Sequence, residues 1–324
     1  MAFNPSTYRV AVKSGKHKLV LETRQWTDPE PGQIVIKTLA CGVCHTDIMA
    51  PVGQIPGHEI VGDVVAVHES ETLWKVGDRV GSGWHAAVVA NSRFVTIVNG
   101  LNKAGGYGEY VTLRCEGTAR IPKEMSPADA GIMMCAGITV ANSLRNVNNI
   151  RPGDVVLVSG LGGLAHLAVQ FSKKSGYYTV VSSRGTSKKD LALELGADQY
   201  IDSETQDVVA ELAKLGGAKV VMGLAPSGEA LTKLIPALGK ESTLLLLAIP
   251  DDEMKIAAFP LISRRAAVLG WPAGSSLDAE EITRFAHRAG IRGYTQEYSL
   301  DQVQEAYDAM LNGTARFRAV LSFK

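Results

Sequence analysis

The 324-residue chain has no excess charge of either sign: 33 Lys and Arg stand against 33 Asp and Glu. That balance removes the electrostatic case for nucleic acid or an anionic membrane surface as a partner. Cysteine is scarce, with four in the whole chain, Cys41, Cys44, Cys115 and Cys135. So few do not make a disulfide framework, and the expectation is a reducing, cytoplasmic setting in which thiols serve packing or metal. No apolar run reaches bilayer length; Thr243 to Ile249, one of the longer, suits a core strand. The N-terminus, Met1-Ala-Phe-Asn-Pro-Ser6, lacks the basic and apolar regions of a secretion signal. Internal repeats, low-complexity tracts and linkers are missing too. The length allows two domains.

The chain is organised around Asp154-Val-Val-Leu-Val-Ser159 followed by Gly160-Leu-Gly-Gly-Leu-Ala-His166. A strand-length apolar run ends in glycines, and a helical pattern, Leu164 to Lys174, follows at once. This context turns a G-x-G-x-x-G/A pattern into a dinucleotide fingerprint. Gly160 permits the tight turn, Gly162 lets backbone approach a pyrophosphate, and Ala165 keeps the helix–strand contact small. With Gly163 and Leu164, these residues lead into a helix N-terminus whose N–H groups face the phosphates. The alternative is a βα turn whose glycines serve packing alone.

About 20 residues further on, an NAD-specific fold places an acid at the end of its second strand. Here the chain reads Val180-Val181-Ser182-Ser183-Arg184, and the next carboxylate, Asp190, falls inside a helical pattern. Ser182, Ser183, Arg184 and Lys188 offer donors instead, which suits a 2′-phosphate and predicts NADP(H) over NAD(H). The alternative is a solvated basic loop that tolerates either cofactor.

Residues up to about 135 read as β-rich, with short alternating segments such as Tyr8–Val12, Ile34–Leu39 and Ile60–Val67. From about Val140 strands and helices alternate. Val155–Ser159, Thr179–Ser183, Gln199–Ile201, Val220–Leu224, Thr243–Ile249 and Ala267–Trp271 are the strand candidates. Helical patterns between them include Lys188–Leu195 and Gly228–Ala237, the rhythm of a parallel sheet. Two more helical stretches, Ala279–Ala289 and Leu300–Leu311, precede a final strand, Arg318–Phe323, and this end most simply returns to the first domain.

The first chemical cluster is Cys41-Gly-Val-Cys44-His-Thr-Asp47, then Gly57-His58-Glu59. Catalytic zinc takes three Cys or His ligands and keeps a fourth position open, and Cys44 and His58 can supply two of the three. Cys41 and Cys44 can also form half of a structural site or a redox pair, although no second C-x-x-C completes a Cys₄ set. Cys41 follows an apolar strand, where burial for packing is its simplest role. Cys115, in a strand-like stretch, reads as packing. His45, His85 and His166 receive no role.

Gly-Val-Cys44-His-Thr-Asp, Pro56-Gly-His58-Glu59-Ile-Val-Gly, Val76-Gly-Asp-Arg-Val, Gly105-Gly-Tyr-Gly-Glu-Tyr and Cys135-Ala-Gly-Ile-Thr occur in that order. In this the chain resembles the zinc-dependent medium-chain alcohol dehydrogenases, nearest the cinnamyl-alcohol-dehydrogenase-like and microbial branch. The resemblance implies an α/β protein with a GroES-like β-rich catalytic domain (1–137 and 273–324) and a doubly wound, parallel-sheet Rossmann domain (138–272). It implies a catalytic zinc held by Cys44, His58 and Cys135, with Glu59 behind the metal and Asp47 orienting the histidine. It makes Thr46 the hydroxyl that takes the substrate proton, Trp84 a wall of the substrate pocket and Arg318 a cation near the cofactor pyrophosphate. A small alcohol or carbonyl compound is the implied substrate, and a homodimer through strands near Ala267–Trp271 the implied assembly. Alkene reduction without metal, and a non-redox use of the old site, are the alternatives.

Departures from the family pattern matter. No cysteine follows Val80-Gly-Ser-Gly-Trp-His85 in Ala86–Phe94, where relatives carry a structural zinc lobe, so one zinc is expected and not two. The Cys44–His58 segment is short, and Met49 stands where many relatives have a proton-relaying histidine.

Overall fold

In the computed structural model, residues 5–87 and 97–323 are described, apart from the side chains of Ala86 and Ala87. The segment 86–94, where the cysteine lobe is expected to be missing, thus lies mostly outside the described residues. The chain divides into two compact units, Met1–Ile138 with Gly274–Lys324, and Thr139–Ala273.

The first unit is built on the strand Gln33–Gly42, whose Ile-Val-Ile and Leu-Ala-Cys runs leave little of it exposed. It pairs along its length with Ile60–Val67, at its start with Tyr110–Arg114 and at its end with Arg318–Ser322. Register shifts at Val35/Ile36 and Thr38/Ala40 bend it, which lets one strand serve three partners. Ile34, Ile36, Ile60, Tyr107, Leu113 and Tyr307 fill the core beneath, and a hairpin of Thr7–Gly15 and Lys18–Gln25 packs there through Val10 and Val12. Arg318–Ser322 also pairs in parallel with Thr295–Tyr298, a strand whose alternation is too short to read from sequence.

The second unit is a sheet of six parallel strands flanked by helices. Its spatial order is Gln199–Asp202, Tyr178–Ser183, Val155–Ser159, Ala218–Gly223, Leu238–Leu246 and Ala267–Gly270. That is the third, second, first, fourth, fifth and sixth strand of the unit, the dinucleotide-fold order that reverses direction beside the first strand. Val156, Leu157 and Val158 are fully buried, as the apolar run predicts for a central strand covered on both faces.

Three local expectations fail. β structure does not persist to residue 135: Pro127–Ile132 is an α-helix, started by Ser126, whose side chain accepts from Asp129 N. The Ser-Pro-Ala-Asp signal was present in the sequence but short. Gly228–Ala237 is not one helix; it is α over Gly228–Thr232 and 3₁₀ over Ile235–Ala237, because Pro236 cannot continue an α-helix. Cys115 begins a 3₁₀ turn after its strand ends at Arg114. No helix among the described residues is long and apolar enough to cross a membrane.

Candidate metal centre and dinucleotide turn

Cys44 lies just beyond the strand Gln33–Gly42 and opens a 3₁₀ turn, His45–Met49. Asp47, 1% exposed, faces inward and organises its surroundings. Its carboxylate accepts from Cys44 N at 2.9 Å, Gly57 N at 3.2 Å and the Tyr107 hydroxyl at 2.8 Å. His58 Nδ1 stands 3.0 Å from the same group, so the other ring nitrogen, Nε2, turns toward Thr46 Oγ1 at 3.2 Å. Gly57 sets the entry to His58. Its φ of +102° favours glycine, and a Cβ there would stand 2.5 Å from the Tyr107 ring.

Cys135 arrives from the other side, on a π turn over Met133–Gly137 between two α-helical segments. The extra residue of a π turn rotates a side chain out of the helical register, a device frequent at functional sites. Candidate ligand atoms of Cys44, His58, Glu59 and Cys135 all lie within 4.8 Å of one another. The two sulfurs are 3.9 Å apart. Tetrahedral zinc with ~2.3 Å bonds to sulfur separates two thiolates by about 3.8 Å, so the residues fit that ion. The strand leading to Trp84 is held by Asn99, whose amide donates to Ser82 Oγ and Gly83 O, both at 2.9 Å. Trp84 meets the His58 ring edge-on, with centroids 5.0 Å apart.

Charge pairing offsets the cost of burial here. Burial opposes charge on His58, but Asp47 and the Cys44 thiolate outweigh it and push the imidazole up to about 10. A hydrogen bond from the Cys135 thiol, aided by His58 and Arg318, holds Cys44 well below the usual thiol range despite burial. That same bond, together with burial, pushes Cys135 up.

Behind the cluster, Arg318 donates to Glu59 Oε1, and both residues are buried. Glu59 Oε2 has no hydrogen-bond partner among the described residues. A Cβ on Gly42 would lie 1.8 Å from that oxygen, so only glycine leaves it room. Cys41 is outside the ligand cluster, fully buried against Gly57 and Gly106. The Cys115 thiol donates to Glu71 at 2.7 Å. His45 and Met49 are exposed. Sequence patterns do not point to Tyr107, to Asn99 or to the pairing of Glu59 with Arg318, whose partners lie 16 to 259 residues away in sequence.

In the second unit, the turn after Val155–Ser159 takes the expected course. Gly160 has φ +90°, and its N–H donates to Ser182 O at 2.6 Å, tying the turn to the neighbouring strand. Nothing stands within 4 Å of a Cβ placed on Gly162, so its backbone is open to approach. Gly163 and Leu164 are half-buried and lead into the helix Ala165–Lys174, whose start has no side-chain cap. His166 is fully buried; its backbone N–H donates to Gly162 O at 3.0 Å, and its Nδ1 lies 3.1 Å from that carbonyl. At the end of the second strand Ser182 is buried, Ser183 half-buried and Arg184 exposed. Lys188 donates to Leu161 O at 2.9 Å, which joins this loop to the glycine turn.

Comparison with known proteins identifies the family. Residues 30–123 match the alcohol dehydrogenase GroES-like domain, and residues 163–288 match the zinc-binding dehydrogenase family. The alcohol dehydrogenase notN of Aspergillus sp. (strain MF297-2) is 40% identical, with 98% of each chain covered. The alcohol dehydrogenase patD of Penicillium expansum is also 40% identical over 98% of each chain. The fold matches a cinnamyl alcohol dehydrogenase from Sorghum bicolor with a TM-score of 0.88 at 24% identity, covering 98% of this chain and 97% of that one. The chain belongs to the medium-chain, zinc-binding alcohol dehydrogenase family and is an alcohol oxidoreductase.

Proposed function

We propose that the chain is a zinc-dependent alcohol dehydrogenase or aldehyde reductase that uses NADP(H) and holds one zinc, through Cys44, His58 and Cys135. The observation that carries this is the convergence of two thiols, an imidazole and a carboxylate within 4.8 Å, with Asp47 behind the imidazole. Bound there, zinc supplies Lewis acidity toward a substrate oxygen, and the nicotinamide supplies or accepts hydride. Asp47 keeps Nε2 of His58 directed at the centre by engaging Nδ1. Thr46 Oγ1, 3.1 Å from Cys44 Sγ and 3.2 Å from His58 Nε2, holds or passes the proton that the substrate oxygen loses or gains. Trp84 offers an apolar wall beside His58 for the substrate body. The test is elemental analysis of purified protein together with an NADPH-consumption screen over aromatic and aliphatic aldehydes. Zinc-free protein that still reduces an activated alkene would favour metal-independent chemistry instead.

The cofactor preference rests on the donors at the second strand's end. NADPH is expected to lead NADH in kcat/KM by at least about tenfold, equivalent to ~1.4 kcal/mol. One charge-assisted contact to the 2′-phosphate supplies that much. Arg184→Asp should erase or reverse the lead. Equal use of both cofactors by the wild type would refute the assignment.

A homodimer through the outer edge of the parallel sheet completes the reading. Ala267–Gly270 is an edge strand with three of its four residues exposed and Val268 half-buried, and exposed edges are templates for pairing with a second copy. The neighbouring helix Ala258–Arg264 exposes Phe259 and Ile262 at 78% and 72%, more apolar surface than a lone unit keeps without reason. The wild type should elute as a dimer on light-scattering chromatography, and Phe259→Asp with Ile262→Asp should shift it to monomer. A monomeric wild type would end this proposal.

A further inference from the structure

The loop that carries Arg184 is not left to solvent. From the geometry of its anchors we infer that Tyr200 and Asp202, on the adjacent strand Gln199–Asp202, are positioning residues that set the cofactor discrimination. This rests on the NADP(H) reading above and deepens it.

Tyr200 and Asp202 are two residues apart on one strand, so their side chains project from the same face. Both reach Gly185, immediately after Arg184. The Tyr200 hydroxyl donates to Gly185 O at 2.6 Å, and the Asp202 carboxylate accepts from Gly185 N at 2.8 Å. A single peptide position is thus gripped on its donor and its acceptor at once. Gly185 has φ +66°, a left-handed conformation in which the chain turns sharply and in which glycine is favoured. Asp202 is 8% exposed, and its oxygens also accept from Glu204 N and Thr205 Oγ1, both at 3.0 Å, so it is itself fixed. Ser203 N adds a bond to Ser183 O at 3.0 Å. At the loop's far end Lys188 is fastened to Leu161 O.

Between these anchors Arg184 is exposed and makes no ion pair with another described residue. A long side chain on a fixed backbone loses less freedom when it grips a ligand than one on a mobile loop, so anchoring the backbone converts a diffuse charge into a recognition element. A competing acid, Glu204, lies by the same turn: its Oε2 would stand 3.6 Å from a Cβ on Gly185. Among the described residues no ion pair joins it to Arg184, which leaves the guanidinium available. Without the grip, the two can meet, and the loop can offer the carboxylate to a ribose hydroxyl in place of the cation to a phosphate.

Tyr200→Phe and Asp202→Ala test this, since each removes the group that grips Gly185, and kcat/KM is measured for NADPH and for NADH. One lost hydrogen bond lowers the NADPH:NADH ratio by about threefold to tenfold. The fall should reside in KM for NADPH, with kcat, the NADH constants and zinc content unchanged. Hydrogen exchange on the wild type gives a second measurement that needs no variant. Adenosine 2′-monophosphate should protect amides 183–187 more than adenosine 5′-monophosphate does. If the wild type prefers NADPH and both variants keep its ratio, this inference fails and the cofactor assignment stands. Equal losses with both cofactors would reduce the pair to a structural role and also overturn it. A wild type without preference for NADPH, or equal protection by the two nucleotides, overturns it as well; the first of these removes the cofactor assignment with it.

Discussion

Cys135→Ala should strip the protein of zinc and of activity together: from about one zinc per chain to about none, with turnover down by at least about 10³-fold. A site of three protein ligands with an open fourth position cannot spare one of them. The Lewis acidity lost with the ion is worth several kcal/mol of transition-state stabilisation, and each 1.36 kcal/mol is tenfold in rate. The geometry makes the experiment specific. Cys135 stands on a π turn, its sulfur 3.9 Å from that of Cys44, and alanine leaves the turn's backbone intact. Cys41→Ala is the matching control. That thiol is as buried as any in the protein, and in the sequence it forms a C-x-x-C with Cys44, yet it stands outside the ligand cluster. It should cost packing stability but no zinc. Elemental analysis and kcat on the two variants decide the matter. Full zinc in Cys135→Ala, or two zincs in the wild type, would contradict the assignment.

The second large effect is expected at Thr46. Replacing it with Val removes one hydroxyl and keeps the branched shape, so the 3₁₀ turn His45–Met49 and the Asp47 contacts should survive. What disappears is the only oxygen lying within 3.2 Å of both Cys44 Sγ and His58 Nε2 among the hydrogen bonds of the cluster. If that hydroxyl takes the substrate proton, kcat should fall by ~10²–10⁴-fold, the usual worth of general acid–base catalysis. Zinc content and cofactor affinity should stay near the wild type, and Thr46→Ser should recover most of the rate. Met49, 58% exposed, offers no group that can carry a proton onward, so release from Thr46 would need water or another group. An unaffected Thr46→Val enzyme would mean that the proton bypasses this residue.

Much of this architecture is legible before any coordinates, because two signals are strong and local. Strands announce themselves through their apolar residues: Val155–Ser159, an apolar run up to its closing serine, and the alternating Ile60–Val67 both have the limits read from the sequence. The ligand candidates announce themselves through short motifs, and the fold brings Cys44, His58, Glu59 and Cys135 together. What escapes is whatever depends on two distant segments meeting. Nothing near Asp47 says that Tyr107 will supply its hydroxyl, or that Gly57 must be glycine because that same ring occupies the space of a Cβ. Nothing near Arg184 points to Tyr200 and Asp202, since a two-residue spacing in a short strand is common and the partner loop cannot be read from it. The helix at Pro127–Ile132 was missed for a different reason. Six residues give too few turns for a periodic pattern, and the capping signal alone must carry the assignment.

The bond from Arg318 to Glu59 also bears on how the protein is made. It joins residues 259 apart, and the strand that bears Arg318 seals the end of Gln33–Gly42. Ribosomes add ~5–20 residues per second, so Glu59 waits about 13–50 s for its partner to be synthesised. The second unit, by contrast, takes all its strands from one continuous stretch, Thr139–Ala273, and can close while translation continues. For that interval the first sheet has an open edge, and its acidic and thiol groups have neither their arginine nor their final strand. Expression that outpaces completion, or termination before Arg318 is added, should therefore release chains with a finished dinucleotide fold and an unfinished metal half, the species that chaperones would have to shelter.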